Sequence, residues 1–252
     1  MGKTGWTDEY TLLCERCGYV VEGLESSGAC PECGKAIAES LPGVRMGSAF
    51  QRGTGLRGLL RTVLDMHVRP RRVFREMRVV PGRDSGLTAS ACLVSALVTT
   101  YAVLMPAFVI AEARHSPGHV GILGRSLGLI FPGVGIVIAV AMSLVVLTVF
   151  EAIGVVFFSR RRQWRVSHGI ARAVCAHAAC TWWIAGFGVG IGVWFSELLG
   201  ATMNPLIANT PFDWIGPMLG PVIGGTLGML VFETLVYAGV RECRFMNRER
   251  AG

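Results

Sequence analysis

Residues 129–158 read LIFPGVGIVIAVAMSLVVLTVFEAIGVVFF, with Glu151 the single charged residue in the run. At a rise of about 1.5 Å per residue, about 20 apolar residues cross a hydrocarbon core of about 30 Å. This stretch is therefore long enough to span a membrane, with residues to spare for tilt or protrusion. Three more runs share its character, at 87–111, 170–199 and 214–240. Four spans predict an all-α polytopic membrane bundle over 86–242, with short loops near 113–126 and 200–213 and prolines Pro106, Pro132, Pro217 and Pro221 at expected kinks or helix starts. The composition agrees. Of 252 residues 52% are hydrophobic and only 16% charged, there are 33 glycines, and the mean hydropathy is +0.50. That balance excludes a disordered chain and argues against an ordinary soluble enzyme. The first forty residues lack a basic segment followed by an apolar one, so no cleavable signal is expected and insertion should rest on the internal spans.

Upstream of the spans the character changes. Cys14-Glu15-Arg16-Cys17-Gly18 and Cys30-Pro31-Glu32-Cys33-Gly34 repeat one Cys-x-x-Cys-Gly unit. Tetrahedral zinc takes four thiolates at about 2.3 Å, and each unit brings two sulfurs to one side of an ion. The glycine after each pair allows the backbone a positive φ beneath them. The reading is a β zinc ribbon over residues 1–40, with Tyr19, Val20 and Val21 in a short strand and Gly28 in a turn. Cys14, Cys17, Cys30 and Cys33 then hold one structural Zn2+. Iron suits four thiolates as well, and two separate redox motifs are the other alternative. A closed four-thiolate shell leaves no position for catalysis, so no enzyme activity is expected. Residues 1–40 carry Lys3, Arg16 and Lys35 against seven acids. An acidic surface repels phosphate, so nucleic acid is an unlikely ligand and a protein partner the better expectation.

Between module and spans, residues 41–55 are rich in Gly, Ser and Pro and read as a linker. In 56–85, Leu56, Leu59, Leu60, Val63 and Leu64 recur at helical spacing until Pro70, and Val73, Phe74 and Met77 follow. Arg57, Arg61, Arg71, Arg72, Arg75 and Arg78 stand among them. Basic amphipathic helices beside a span lie in the lipid interface and attract anionic headgroups, which makes the bilayer the expected partner here.

Charge also orients the chain. Of 24 Lys and Arg, only Arg114 and Arg125 fall on one side of the four-span arrangement. By the positive-inside rule both termini, including the tail 243–252, are cytoplasmic. The expected location is the bacterial inner membrane, where the ribbon thiols meet a reducing compartment.

Inside the spans, glycines at 216, 220, 224 and 228 form one row, and Gly186/Gly190 and Gly188/Gly192 form two more, as close helix packing requires. Val149-Phe150-Glu151-Ala152 echoes Val231-Phe232-Glu233-Thr234, a weak hint of a repeat. Ionisable groups at membrane depth are costly. Glu151, Glu233 and His177 all fall in the cytoplasmic half, with Cys175 and Cys180 near His177. Two readings stay open: a proton- or cation-binding site, or carboxylates held structurally by neighbouring helices.

The stretch Arg69-Pro70-Arg71-Arg72-Val73-Phe74-Arg75-Glu76-Met77 ahead of a compact bundle resembles the start of Yip1-type membrane proteins. The Cys14/Cys17/Cys30/Cys33 ribbon is similar to those of bacterial zinc-ribbon membrane proteins. The Yip1 family usually has five spans, where four are counted here. The resemblance implies membrane organisation without catalytic residues. The leading expectation is a non-enzymatic membrane adaptor or organising protein, with homo-oligomerisation open. The alternative is a small proton- or cation-linked transporter or channel using Glu151, His177 and Glu233.

Overall fold

A computed structural model of the chain describes residues 10–53, 55–79, 82–114, 122–207 and 215–248. The described residues are mostly helical. In chain order they form α1 (Ala49–Arg52), α2 (Leu56–Val68), α3 (Pro70–Glu76), α4 (Arg83–Arg114), α5 (Ile122–Arg161), α6 (His168–Ala178), α7 (Trp182–Ile207) and α8 (Ile215–Glu242), with 3-10 turns at Ile37–Ser40, Pro42–Val44 and Ala179–Thr181.

Four stretches are long and apolar enough to cross a membrane: Arg83–Met105, Gly133–Arg161, His168–Ser196 and Met218–Glu242. Their mean hydropathies run from 1.4 to 2.7, and the highest belongs to the stretch that decided the class. The expected loops are shorter than composition implied, because α4 runs to Arg114, α5 starts at Ile122, α7 runs to Ile207 and α8 starts at Ile215. What remains of them, 115–121 and 208–214, lies outside the described residues. The helix α8 passes through Pro221 without ending. The third span is not one helix: the 3-10 turn Ala179–Thr181 separates α6 from α7. No residue of that turn forbids α geometry, and nothing in the structure explains the break.

The chain divides into two units, one of Met1–Thr88, Leu147–Cys180 and Thr234–Gly252, the other of Ala89–Val146 and Thr181–Glu233. The core of the first unit forms around Phe74, Met66, Met77, Ile170 and Val174, all essentially inaccessible to solvent. Proline at the first position of α3 suits a helix start, since its missing N–H has no intrahelical partner there anyway. The short helix turns Val73 and Phe74 inward. The Phe74 ring lies so close to Gly239 that a Cβ there would sit 2.7 Å from it and equally close to Val174. Gly239 is therefore the hole into which Phe74 packs.

Residues 41–55, read from composition as a linker, carry Arg45, Ser48, Phe50 and Gln51 in buried positions. Ser48 and Gln51 form a reciprocal capping box at α1, with the Ser48 hydroxyl accepting from Gln51 N–H and the Gln51 carbonyl accepting from Ser48 N–H. The Gln51 amide also donates to Arg78 O at 2.6 Å and to Asp84 at 3.2 Å. Small polar residues here make specific bonds, which a count of Gly, Ser and Pro does not reveal.

In the second unit, small residues set the helix spacing. Gly186 meets Thr99 and Gly190 meets Ala102, bringing α7 against α4. Gly188 faces Gly224, Gly192 faces Gly220, and Ala185 faces Gly228, an antiparallel register of α7 on α8. The glycine rows thus pack backbone to backbone. Gly216, the first of its row, lies outside the described side chains. Trp182 stacks on Phe232 with ring centroids 4.3 Å apart.

Candidate metal centre

The two Cys-x-x-Cys-Gly units fold alike, and the reason is local. Gly18 N–H donates to Cys14 O, and Gly34 N–H to Cys30 O, at 2.8 and 2.9 Å. Both glycines take the left-handed conformation, at φ +81° and +72°, which a side chain would strain. Each unit is closed by one antiparallel bridge, Leu13 with Val20 and Ala29 with Ala36. The expected β-hairpin is thus represented among the described residues by isolated bridges, without a strand. Cys14 N–H donates to Tyr19 O and Cys30 N–H to Lys35 O, both at 2.8 Å. These bonds fix the first sulfur of each pair, while Cys14, Val21, Cys30 and Ile37 form a small core beneath them.

The four sulfurs lie within 4.8 Å of one another. Cys14 and Cys33 Sγ are 3.5 Å apart, and Cys17 and Cys30 Sγ 3.6 Å. These separations exclude disulfides, whose sulfurs sit about 2.05 Å apart. They fit a tetrahedron of metal–sulfur bonds of about 2.3 Å, whose edge is about 3.8 Å. The donor set therefore suits a thiophilic metal ion with all four positions filled by protein. Burial pushes the Cys17 thiol up to about 12, and the neighbouring thiols add to the rise. Four thiolates can share this space only around a cation. Of the described His, Cys, Asp and Glu side chains, these four cysteines alone form a group of three or more close enough to hold a metal.

Polar side chains tie the first unit down. Glu15, between Cys14 and Cys17, pairs with Arg45 at 2.9 Å, both nearly buried. Burial works against the Arg45 charge and the Glu15 carboxylate more than offsets it, so Arg45 stays firmly protonated. Arg45 also donates to Phe74 O and Met77 O, at the end of α3. Asn247 donates to Leu13 O and Ser40 O, each at 2.7 Å, and accepts from Leu13 N–H at 3.0 Å. Arg165 donates to Asn247 Oδ1 at 2.6 Å, to Met246 O and to Thr11 O. The Phe245 ring fills the space where a Cβ on Gly18 would lie. Cys243, its thiol pushed up to about 12 by burial, donates to Phe74 O.

The chain matches no protein-family model, no curated protein and no solved structure.

The other residues singled out from sequence take different positions. His177 is fully buried in α6 and donates from Nδ1 to Ala173 O at 2.7 Å, while its Nε2 is buried without a partner among the described residues. Glu151 in α5 and Glu233 in α8 are both half-buried. None of these three belongs to a group of three or more ligating side chains among the described residues. The six arginines of the connector separate into two sets. Arg72 pairs with Glu76, Arg75 with Glu242, and Arg78 donates to Gly43 O. Arg57, Arg61 and Arg71 stay exposed, with no hydrogen bond or ion pair among the described residues. Sequence reasoning missed Glu15, Arg45, Arg165 and Asn247 as a group. Glu15 counted only toward an acidic surface, Arg45 and Asn247 fell in the linker and the tail, and Arg165 was not singled out, so only pairing across the chain distinguishes them.

Proposed function

We propose that this protein is a non-enzymatic membrane adaptor, in which a zinc ribbon of residues 14–34 presents a binding surface and four spans anchor the chain. The observation that carries the reading is the polar clamp. Glu15, Arg45, Arg165 and Asn247 hold the cysteine module to α3 and to the residues after the last span. A module held this firmly keeps one orientation at the membrane surface, and its four-thiolate shell offers no open position for catalysis. Four thiolates in tetrahedral spacing suit zinc or iron, and zinc is the ion of this proposal. The outward surface combines exposed Tyr19 and Leu24 with exposed Glu22, Glu25 and Glu32. Exposed apolar groups in an acidic segment suit a protein partner with basic residues. A photo-crosslinking residue in place of Leu24 should capture one discrete protein in cells, and Cys17→Ser should abolish the adduct. An adduct that survives Cys17→Ser would refute a role for the folded ribbon.

The same clamp supports an even number of crossings. Leu13 precedes every span and Asn247 follows the last, yet their backbone and side chain exchange two hydrogen bonds. This pairing supports a topology with both residues on one side of the membrane, and the positive-inside rule favours the cytoplasmic side. Reporter fusions at Gly2 and Gly252 should both read cytoplasmic, and one at Asn209, outside the described residues, should read external. Opposite readings at Gly2 and Gly252 would rule out the four-span topology.

One observation favours the second reading, a small proton- or cation-linked transporter or channel. His177 Nε2 is a buried acceptor without a donor among the described residues, beside the 3-10 turn of the third span. Flux in proteoliposomes that Glu151→Gln or Glu233→Gln abolishes, with the fold intact, would favour it over the adaptor.

A further inference from the structure

The helix α2 has two apolar faces, and the first unit covers only one of them. Leu59, Thr62 and Met66 are buried on the inner face, where α2 packs on α1, α3 and α6. Thr62 Oγ1 there accepts from Phe50 N–H at 2.9 Å. On the outer face Leu56, Leu60, Leu64 and Val68 follow one another at every fourth residue and are 68%, 57%, 62% and 64% exposed. A four-residue step advances about 40° around a helix, so the stripe curves gently along its whole length. Four large aliphatic side chains in a continuous open row are not explained by folding. Arg57 and Arg61 border the stripe and Arg71 follows it. All three are exposed and, among the described residues, pair with no carboxylate. Arg72 and Arg75, read from sequence as part of the same basic face, are committed to Glu76 and Glu242.

We infer that α2 is an in-plane membrane helix whose outer stripe enters the interface of a bilayer rich in anionic lipid. The occupant follows from charge. An apolar strip bordered by uncompensated guanidiniums matches acyl chains beneath anionic headgroups. A second copy of the same stripe would bring like charges together. The inference rests on the membrane reading of the four apolar stretches and is independent of the adaptor role. It narrows the lipid-binding arginines from six to Arg57, Arg61 and Arg71.

The test uses the full chain in nanodiscs of phosphatidylcholine with or without phosphatidylglycerol. An environment-sensitive fluorescent amino acid replaces Leu60, Leu64, Glu22 as an aqueous control, or Ile138 as a control within a span. Expected at Leu60 and Leu64 are a blue shift and quenching by bromolipids, both stronger with phosphatidylglycerol, and neither at Glu22. Each of Arg57→Gln, Arg61→Gln and Arg71→Gln should lower the anionic preference roughly fivefold. Arg72→Gln and Arg75→Gln should leave it unchanged. A water-like signal at Leu60 and Leu64 with a lipid-like signal at Ile138 overturns this inference alone. A water-like signal at Ile138 overturns the membrane reading itself. Shielding at Leu60 that persists in detergent and grows with protein concentration would show a second copy as the occupant and overturn the lipid assignment.

Discussion

Replacing Cys17 by Ser should reduce bound zinc from about one ion per chain to near zero and unfold residues 10–40, while the four apolar helices stay intact. The expectation follows from the size of the module. Its core is Cys14, Val21, Cys30 and Ile37, flanked by Leu12, Cys17 and Cys33. So small a core does not fold unaided. Zinc binding to four thiolates supplies about 10–16 kcal/mol of apparent free energy, and a serine hydroxyl is a poor replacement for one of them. The helices draw their stability from internal backbone hydrogen bonds and from packing in lipid, neither of which involves the metal. Elemental analysis and amide exchange measure the two halves of this result. Cys92→Ser serves as control, because Cys92 is buried outside the four-sulfur cluster. Stoichiometric metal in Cys17→Ser, or none in the wild type, would contradict the four-thiolate assignment.

Alanine at Gly192 should separate α7 from α8. A Cβ there would collide with the backbone of Gly220 and Pro221, which cannot move aside as a flexible side chain can. A second substitution in the same contact, Gly224→Ala, meets the backbone of Gly188. Overpacking of this kind costs about 1–3 kcal/mol, and the upper end applies where backbone must shift. Gly135→Ala in α5 is the contrast, because among the described residues nothing lies within 4 Å of the added methyl. It should be neutral or stabilising by up to about 1 kcal/mol through helix propensity. Unfolding in mixed micelles should place Gly192→Ala well below wild type and Gly135→Ala at or above it. Equal stabilities for the two variants would show that the glycine row carries no packing role.

The features legible in the sequence are those that depend on near neighbours. The Cys-x-x-Cys-Gly spacing named Gly18 and Gly34 as turn residues, and both have positive φ. Hydropathy located the four apolar stretches to within a few residues. It did not reveal the break at Ala179–Thr181, where composition stays apolar while the winding changes. The strand expected at Tyr19–Val21 is reduced to a bridge at Val20, with Val21 buried and Tyr19 exposed. Charge was the least legible property. Arg45 fell in an expected linker, Arg165 was not singled out, and Arg75 looked like a lipid contact. Their partners are Glu15, Asn247 with Thr11, and Glu242. A residue count measures how much charge a segment carries but not which carboxylate or carbonyl the fold brings to it.

The bond from Leu13 to Asn247 links residues 234 positions apart. The ligands of the metal cluster, by contrast, all lie between residues 14 and 33. A ribosome adding 5–20 residues per second exposes that interval roughly 10–50 s before residue 247 emerges. Metal loading can therefore precede insertion, whereas clamping must follow it. A chain with one span left out of the bilayer carries Asn247 to the opposite face. The Leu13 N–H and C=O then have no side chain to pair with, and the Glu15–Arg45 pair loses the backbone N–H that Asn247 gives to Glu15. On the four-span reading, the clamp would close in molecules that thread an even number of spans and stay open in those that leave out one.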